Sequence, residues 1–213
     1  MFSARVVARA SCSRAMTSRR SSDQAPSVCD DELLLGVCAR DPRAVEQWYR
    51  LEHPRVWRRC LGLVGSRADA DDLAQDAMLK LHDELPRRSR DVPYAAWSAR
   101  VVVNLCRDRW RRGAARERAE NAARVERRET PLPDPSEVLS QTELRDLVTE
   151  LLAKLPARER EAFVLRELEQ LSTEQVALAM DVEESTVRSL TTLARRRMRE
   201  LLAPHVEREA RDA

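Results

Sequence analysis

The sequence predicts an all-α fold of two small helical domains joined by a flexible linker, the second carrying a helix-turn-helix. Three observations lead there. Good helix formers (Ala, Leu, Arg, Glu) dominate a chain of 213 residues that holds only four Gly and is 4% aromatic. The stretch Thr130-Pro-Leu-Pro-Asp-Pro-Ser136 cannot be helical, because each Pro fixes its φ and lacks an amide donor, so it cuts the helical pattern in two. Beyond that cut, the apolar positions on either side of Asp181 have the spacing of two short helices that cross closely. The length suits one or two domains with a real core.

Residues 1–28 hold five Arg and one Asp and are rich in Ser, a composition like that of an organellar transit peptide. Arg5 and Arg9 interrupt any secretory apolar core. A plain tail, or a true start at Met16, fits equally, and the segment is read as a tail. From Asp30 the pattern turns helical. Asp30, Asp31 and Glu32 load a first turn with acid, and Leu33, Leu34, Val37 and Cys38 follow at helical spacing. A second helix is expected over Ala44–Trp57, with Gly62 and Gly65-Ser66 as punctuation. A third is expected over Asp69–Leu85, stopped by Pro86, followed by a basic loop over Arg87–Pro93. A fourth runs over Tyr94–Arg112 and ends at Gly113. The first domain thus spans 29–113 and the charged, Pro-ended linker 114–139. The second domain, 140–205, is read as Glu143–Leu155, Arg158–Glu169, Thr173–Met180 and Ser185–Leu202, with a tail over 206–213.

Several function classes are excluded by composition. The net charge is +2, and the basic first 28 residues leave the remainder slightly acidic, so this is no wholesale polyanion-coating protein. Gly36, Gly62, Gly65 and Gly113 never cluster as a phosphate-cradling loop would. Five Cys with no C-x-x-C pair give neither a disulfide nor a zinc framework. They read as reduced cytosolic thiols, with Cys38, Cys60 and Cys106 expected to be buried. The apolar runs are too short and too charged for membrane insertion, and a cytoplasmic protein is expected. His53, His82 and His205 stand apart, no nucleophile motif occurs, and no catalytic residue, metal ligand, cofactor or small-molecule substrate is expected.

Three segments carry binding chemistry instead. In the first, Asp72, Asp76, Leu79 and Asp83 share one helical face and Leu73, Ala77 and Leu81 another. An acidic stripe beside an exposed Leu suits a basic protein surface, although acids that complement the helix dipole and keep the surface solvated read the same way, and the pattern alone favours that reading. In the second, Arg100, Asn104, Arg107 and Arg111 recur at spacings of four, three and four, with Trp97 upstream. A ring beside a cationic track suits single-stranded nucleic acid, although a solvated basic face reads the same way. The third runs from Leu171 to Leu193. Ser172 and Gln175 form a capping box, and Val176, Ala177 and Met180 face inward. Asp181-Val182-Glu183 makes the turn, and Val187 and Leu190 face inward from the next helix. That helix exposes Ser185, Thr186, Arg188 and Ser189 at the end that reads base edges in the major groove, and Arg195 and Arg196 can reach phosphates.

In this order the segments resemble the sigma factors of the extracytoplasmic-function group of the sigma-70 family. Asp69-Ala-Asp-Asp-Leu-Ala-Gln-Asp76 resembles that group's D-A-E-D-L-V-Q-E. Tyr94-Ala-Ala-Trp97 through Val103-Asn104-Leu-Cys-Arg-Asp108 resembles its F-x-x-W-L…A-x-N-x-x-x-D. Leu155-Pro-Ala-Arg-Glu-Arg-Glu161, Leu171-Ser-Thr-Glu-Gln-Val-Ala177 and Ser185-Thr-Val-Arg-Ser189 are similar to its L-P-x-R-x-R-E, L-S-x-E-E-I-A and G-T-V-K-S patterns. The resemblance implies a dissociable promoter-specificity subunit with no reaction of its own, held in check by an anti-sigma protein. It implies that Asp72, Gln75, Asp76 and Leu79 bind core RNA polymerase. It assigns Arg88, Arg90, Trp97, Arg100, Asn104, Arg107 and Arg111 to melting of the −10 promoter element. Ser185, Thr186, Arg188, Ser189, Arg195 and Arg196 would read the −35 element as duplex DNA. The chain departs from the pattern at Asp181 and Glu183, where the group has Gly and Ser, and at Leu190 and Leu193, where it has Arg. Each missing phosphate contact weakens DNA binding and flattens its salt dependence. The alternatives are a stand-alone helix-turn-helix regulator, or a degenerate relative that mainly binds an anti-sigma protein.

Overall fold

The computed structural model describes residues 30–121 and 141–212. The expected tail over 1–28 and the Thr130–Ser136 stretch lie outside the described residues. The described residues are all-α, as expected: α1 (Asp31–Cys38), α2 (Pro42–Val64), α3 (Arg67–Glu84), α4 (Tyr94–Asn121), α5 (Gln141–Ala153), α6 (Ala157–Phe163), α7 (Thr173–Met180) and α8 (Glu184–Asp212). A short 3₁₀ turn over Leu85–Arg87 follows α3, and a π turn over Val164–Leu168 follows α6.

Local chemistry sets most boundaries. The Asp30 carboxylate accepts from the Leu33 N–H at 2.8 Å, Asp41 caps α2 ahead of Pro42, and Ser66 caps α3. α2 ends at Gly65, whose φ of +76° costs an L residue more than glycine. Two expected glycine stops are corrected. Gly62 lies inside α2, which runs past Trp57 to Val64. It is buried, and a Cβ there would sit 3.1 Å from Val164, so this glycine permits a close approach rather than breaking the helix. Gly113 is exposed inside α4, which continues to Asn121 and so takes up the start of the segment assigned to the linker.

The two helical blocks, expected as two small domains joined by a linker, pack against each other through one core. Leu63, Val102, Leu152, Val164, Val176 and Met180 belong to a single buried cluster. Gly62 receives Val164 and Leu152, and Gly65 faces Ala153. α7 packs along α4, and α5 and α6 pack on α2. Polar contacts run across the same junction. Arg160 donates to the Leu63 carbonyl at 2.8 Å and lies over the Trp110 ring at 5.9 Å. Arg67 pairs with Asp146 at 2.7 Å on the surface. The two blocks meet because both carry small or apolar residues on the facing surfaces.

Candidate functional site: one protein-binding face and two nucleic-acid faces

α3 presents the first face. Ala70, Leu73, Ala74, Ala77, Met78 and Leu81 are buried against α2 and α4, which leaves Asp72, Gln75, Asp76 and Leu79 exposed together. Leu79 is 61% exposed, unusual for a large aliphatic side chain on an otherwise well-packed helix. Neighbouring acids are engaged: Asp69 by Arg109, and Asp71 by the Trp57 indole N–H at 2.5 Å. Asp72 and Asp76 have no ion-pair partner among the described residues. The helix therefore offers two unpaired carboxylates, an amide and a leucine to an outside surface.

α4 presents the second face, where the residues differ in availability. Trp97 is half-buried, 5.7 Å from the Tyr94 ring, and Tyr94 accepts from the Trp48 indole N–H at 2.8 Å. That bond fixes the start of α4 on the core. Arg100 is half-buried, and Asn104 and Arg90 are exposed. Arg88 folds back, donating to the Val92 carbonyl at 2.5 Å with its guanidinium 5.9 Å from the Tyr94 ring. Arg111 pairs with Asp108. Arg107 is half-buried and already paired within the protein. Its Nε and Nη2 donate to the two Glu161 oxygens at 2.8 and 2.6 Å, and Glu161 is 1% exposed.

The third face is the helix-turn-helix, and it forms as the spacing predicts. Ser172 N–H donates to Gln175 Oε1 at 2.9 Å, and the Gln175 N–H donates to Ser172 Oγ at 3.1 Å. α7 ends on Asp181 in the left-handed region, with φ 59° and ψ 53°. The Val182 N–H bonds back to the Ala177 carbonyl at 3.1 Å, as in a Schellman motif. Asp takes the position that glycine would favour, because its short polar side chain tolerates this conformation better than most. Val176, Ala177, Met180 and Val187 are buried, and Leu190 is half-buried. Ser185, Thr186, Arg188 and Ser189 are all exposed at the start of α8. Arg188 is held by Glu184 at 2.5 Å and Arg195 by Glu167 at 2.8 Å, while Arg196 lies 3.7 Å from Glu200. These pairs are solvated and weak, so the guanidinium groups can exchange partners. Leu193 is exposed on the same helix.

Sequence reasoning missed a buried polar cluster at the junction of the two blocks. Arg59, 3% exposed, donates to Glu169 at 2.6 Å and to the Ser98 hydroxyl at 3.4 Å, with Glu52 also buried nearby. Burial pushes the Glu52 carboxyl above its ordinary range, against the opposing pull of Arg59 and Arg55. Burial acts to lower Arg59, but Glu169 and Glu52 outweigh it and its pKa is raised. A hydrogen bond to Cys60 and burial raise the Cys106 thiol, and both cysteines are buried as expected, whereas Cys38 is half-buried. A signal existed: Glu52 and Arg59 fall on the same stripe of α2 as Val56, Cys60 and Leu63.

No helix among the described residues is long and apolar enough to cross a membrane. Residues 48–116 match the family described as Sigma-70 region 2, and residues 145–198 match Sigma-70, region 4. The ECF RNA polymerase sigma factor SigM of Mycobacterium tuberculosis (strain H37Rv) is 34% identical over 81% of this chain and 84% of its own. The RNA polymerase sigma-E factor of Streptomyces coelicolor is 31% identical over 78% of this chain and 94% of its own. The fold is similar to the sigma factor RpoE from Bartonella quintana, solved with the anti-sigma factor NepR (TM-score 0.61, 22% identity, 74% of this chain and 96% of that one). It is also similar to CnrH, solved with the cytosolic domain of CnrY (TM-score 0.58, 22% identity, 81% and 96%).

Proposed function

The chain belongs to the extracytoplasmic-function RNA polymerase sigma factors of the sigma-70 family, and from that premise we propose how its faces divide the work of directing core polymerase to promoters. The first block, over 29–113, docks on core polymerase through Asp72, Gln75, Asp76 and Leu79. The observation that carries this is the α3 face itself, four exposed side chains opposite a fully buried apolar side. Unpaired carboxylates around a leucine steer and then seat a basic partner surface. Trp97, Arg100, Asn104, Arg107, Arg111, Arg88 and Arg90 engage the −10 element as it opens, the ring meeting bases and the guanidinium groups meeting phosphates. The second block, over 140–205, reads the −35 element with Ser185, Thr186, Arg188 and Ser189 at base edges and Arg195 and Arg196 on the backbone.

The protein acts by binding, and polymerase performs the chemistry. The slight net charge fits that division, because the larger enzyme supplies most of the affinity for DNA. The proposed regulator is an anti-sigma protein, of the kind bound to RpoE in its solved complex. The test is transcription from a cognate promoter with purified core polymerase. New initiation that disappears when Asp72 and Asp76 are both changed to Arg supports the reading. Tight promoter binding without polymerase, unaffected by that change, would favour the stand-alone regulator instead.

A further inference from the structure

We propose that Thr192 and Leu193 of α8 read a thymine in the −35 element, by apolar contact with the 5-methyl group that this base presents in the major groove. The inference rests on the assignment of the start of α8 to that element. Helical spacing sets the geometry. Val187, Thr191, Ala194 and Met198 are buried on one side of α8. Ser185, Ser189, Thr192 and Arg196 lie opposite them and are exposed, and Leu193 flanks Thr192. From Ser185 to Leu193 the helix rises about 12 Å at about 1.5 Å per residue, and the major groove is about 12 Å wide. Both residues therefore still lie within a groove entered by the start of α8.

The chemistry of this patch does not suit guanine. Guanine is read by a fork of donors, and neither residue carries one. Thr192 Oγ1 donates to the Arg188 carbonyl at 2.8 Å, and Ser189 Oγ donates to the Ser185 carbonyl at 3.0 Å. Those hydroxyl protons are engaged within the helix. Thr192 keeps its methyl group and its oxygen lone pairs for a partner. Leu193 adds a purely hydrocarbon side chain that is 37% exposed. The guanidinium groups one turn before and one turn after are drawn to acids, Arg188 to Glu184 at 2.5 Å and Arg196 toward Glu200 at 3.7 Å. Between them lies a short apolar stretch, and the thymine 5-methyl is the one methyl group on the edge of an unmodified base. Contact between the two takes apolar surface of both partners out of water.

The experiment uses the full chain bound to core polymerase. A double-stranded DNA library randomised over the −35 element is selected for binding, and the enriched duplex becomes the probe. Each of its thymines is then replaced singly by deoxyuridine, which removes the methyl group and leaves every hydrogen-bonding atom in place. One replacement is expected to weaken binding about fourfold in a competition assay. The double variant Thr192→Ser/Leu193→Ala keeps the hydroxyl and removes the apolar atoms. With its fold checked by circular dichroism, it is expected to bind the thymine and deoxyuridine duplexes equally. Leu193→Arg supplies a donor fork, and in the same selection is expected to enrich guanine in place of that thymine, with a steeper salt dependence. Deoxyuridine tolerated at every thymine, discrimination surviving in the double variant, or thymine still enriched by Leu193→Arg each overturns the inference alone. A wild-type complex that enriches no sequence overturns the −35 assignment itself, and the inference with it.

Discussion

Asp72 and Asp76 on α3 stand in solvent with no ion-pair partner among the described residues, whereas Arg107 on the neighbouring α4 is gripped at two points by a buried glutamate from the far half of the chain. Both faces are charged stripes at helical spacing. One is ready for a partner, while the other already holds one. Periodicity says which side of a helix points away from its own core, but it does not say whether another segment will lie on that side. In this molecule the difference separates a face open to solvent from a face already occupied by another segment of the chain.

The sharpest way to break the contrast is at the covered side. Arg59 is buried with Glu169 and Glu52 around it, and its Nε lacks a hydrogen-bond acceptor. Arg59→Ala leaves the buried Glu52 and the half-buried Glu169 without their shared cation. The expected loss is about 3–5 kcal/mol of unfolding free energy by chemical denaturation. A loss below about 1 kcal/mol would mean that the junction is already hydrated in solution. The next effect is steric. Gly62→Val places two methyl groups where Val164 lies 3.1 Å from a bare Cβ, so α6 and its π turn must shift. The expected cost is about 1–3 kcal/mol, together with an increased radius of gyration.

These two positions also show what the sequence could and could not reveal. The capping box at Ser172 and Gln175, the left-handed turn at Asp181 and the inward Ala177 were legible because every partner lies within one short stretch. The exposed α3 face was legible for the same reason. The Arg59–Glu169 pair joins residues 110 apart, and Arg107–Glu161 residues 54 apart, across a charged, Pro-ended linker whose sequence does not say how the two sides meet. Gly62 looked like a helix stop because glycine ends helices more often than it lines a close crossing, and only the position of Val164 distinguishes the two.

Glu52 gives the covered side a pH signature. Burial raises its pKa above the ordinary 4.5, so the folded protein holds this proton more tightly than the unfolded chain does. Its contribution to stability is fully present below that ordinary value and is lost as the pH rises through the folded value. Glu52→Gln cannot ionise and lacks this loss. Its unfolding free energy is expected to fall less than that of the wild type on going from pH 4 to pH 7, measured by urea titration at each pH. A smaller, opposite change is expected at the helix-turn-helix. Asp181→Gly relieves a residue held at φ 59° and should stabilise by about 0.5–1 kcal/mol, with α7 and α8 unmoved.

The open face should give the smallest change in stability. Asp72→Arg/Asp76→Arg alters two exposed side chains with no ion pairs to break, on a helix whose packing is carried by Leu73, Ala77 and Leu81 on the opposite side. The unfolding free energy is expected to stay within about 0.5 kcal/mol of wild type. Binding to core polymerase, by contrast, should fall by about two orders of magnitude, because two attractive charges become repulsive ones. A large loss of stability here would show that something covers α3 as Glu161 covers Arg107, and the two faces would then cease to differ in kind. Unchanged stability with unchanged polymerase binding would keep the face open but move the docking site elsewhere on the first block.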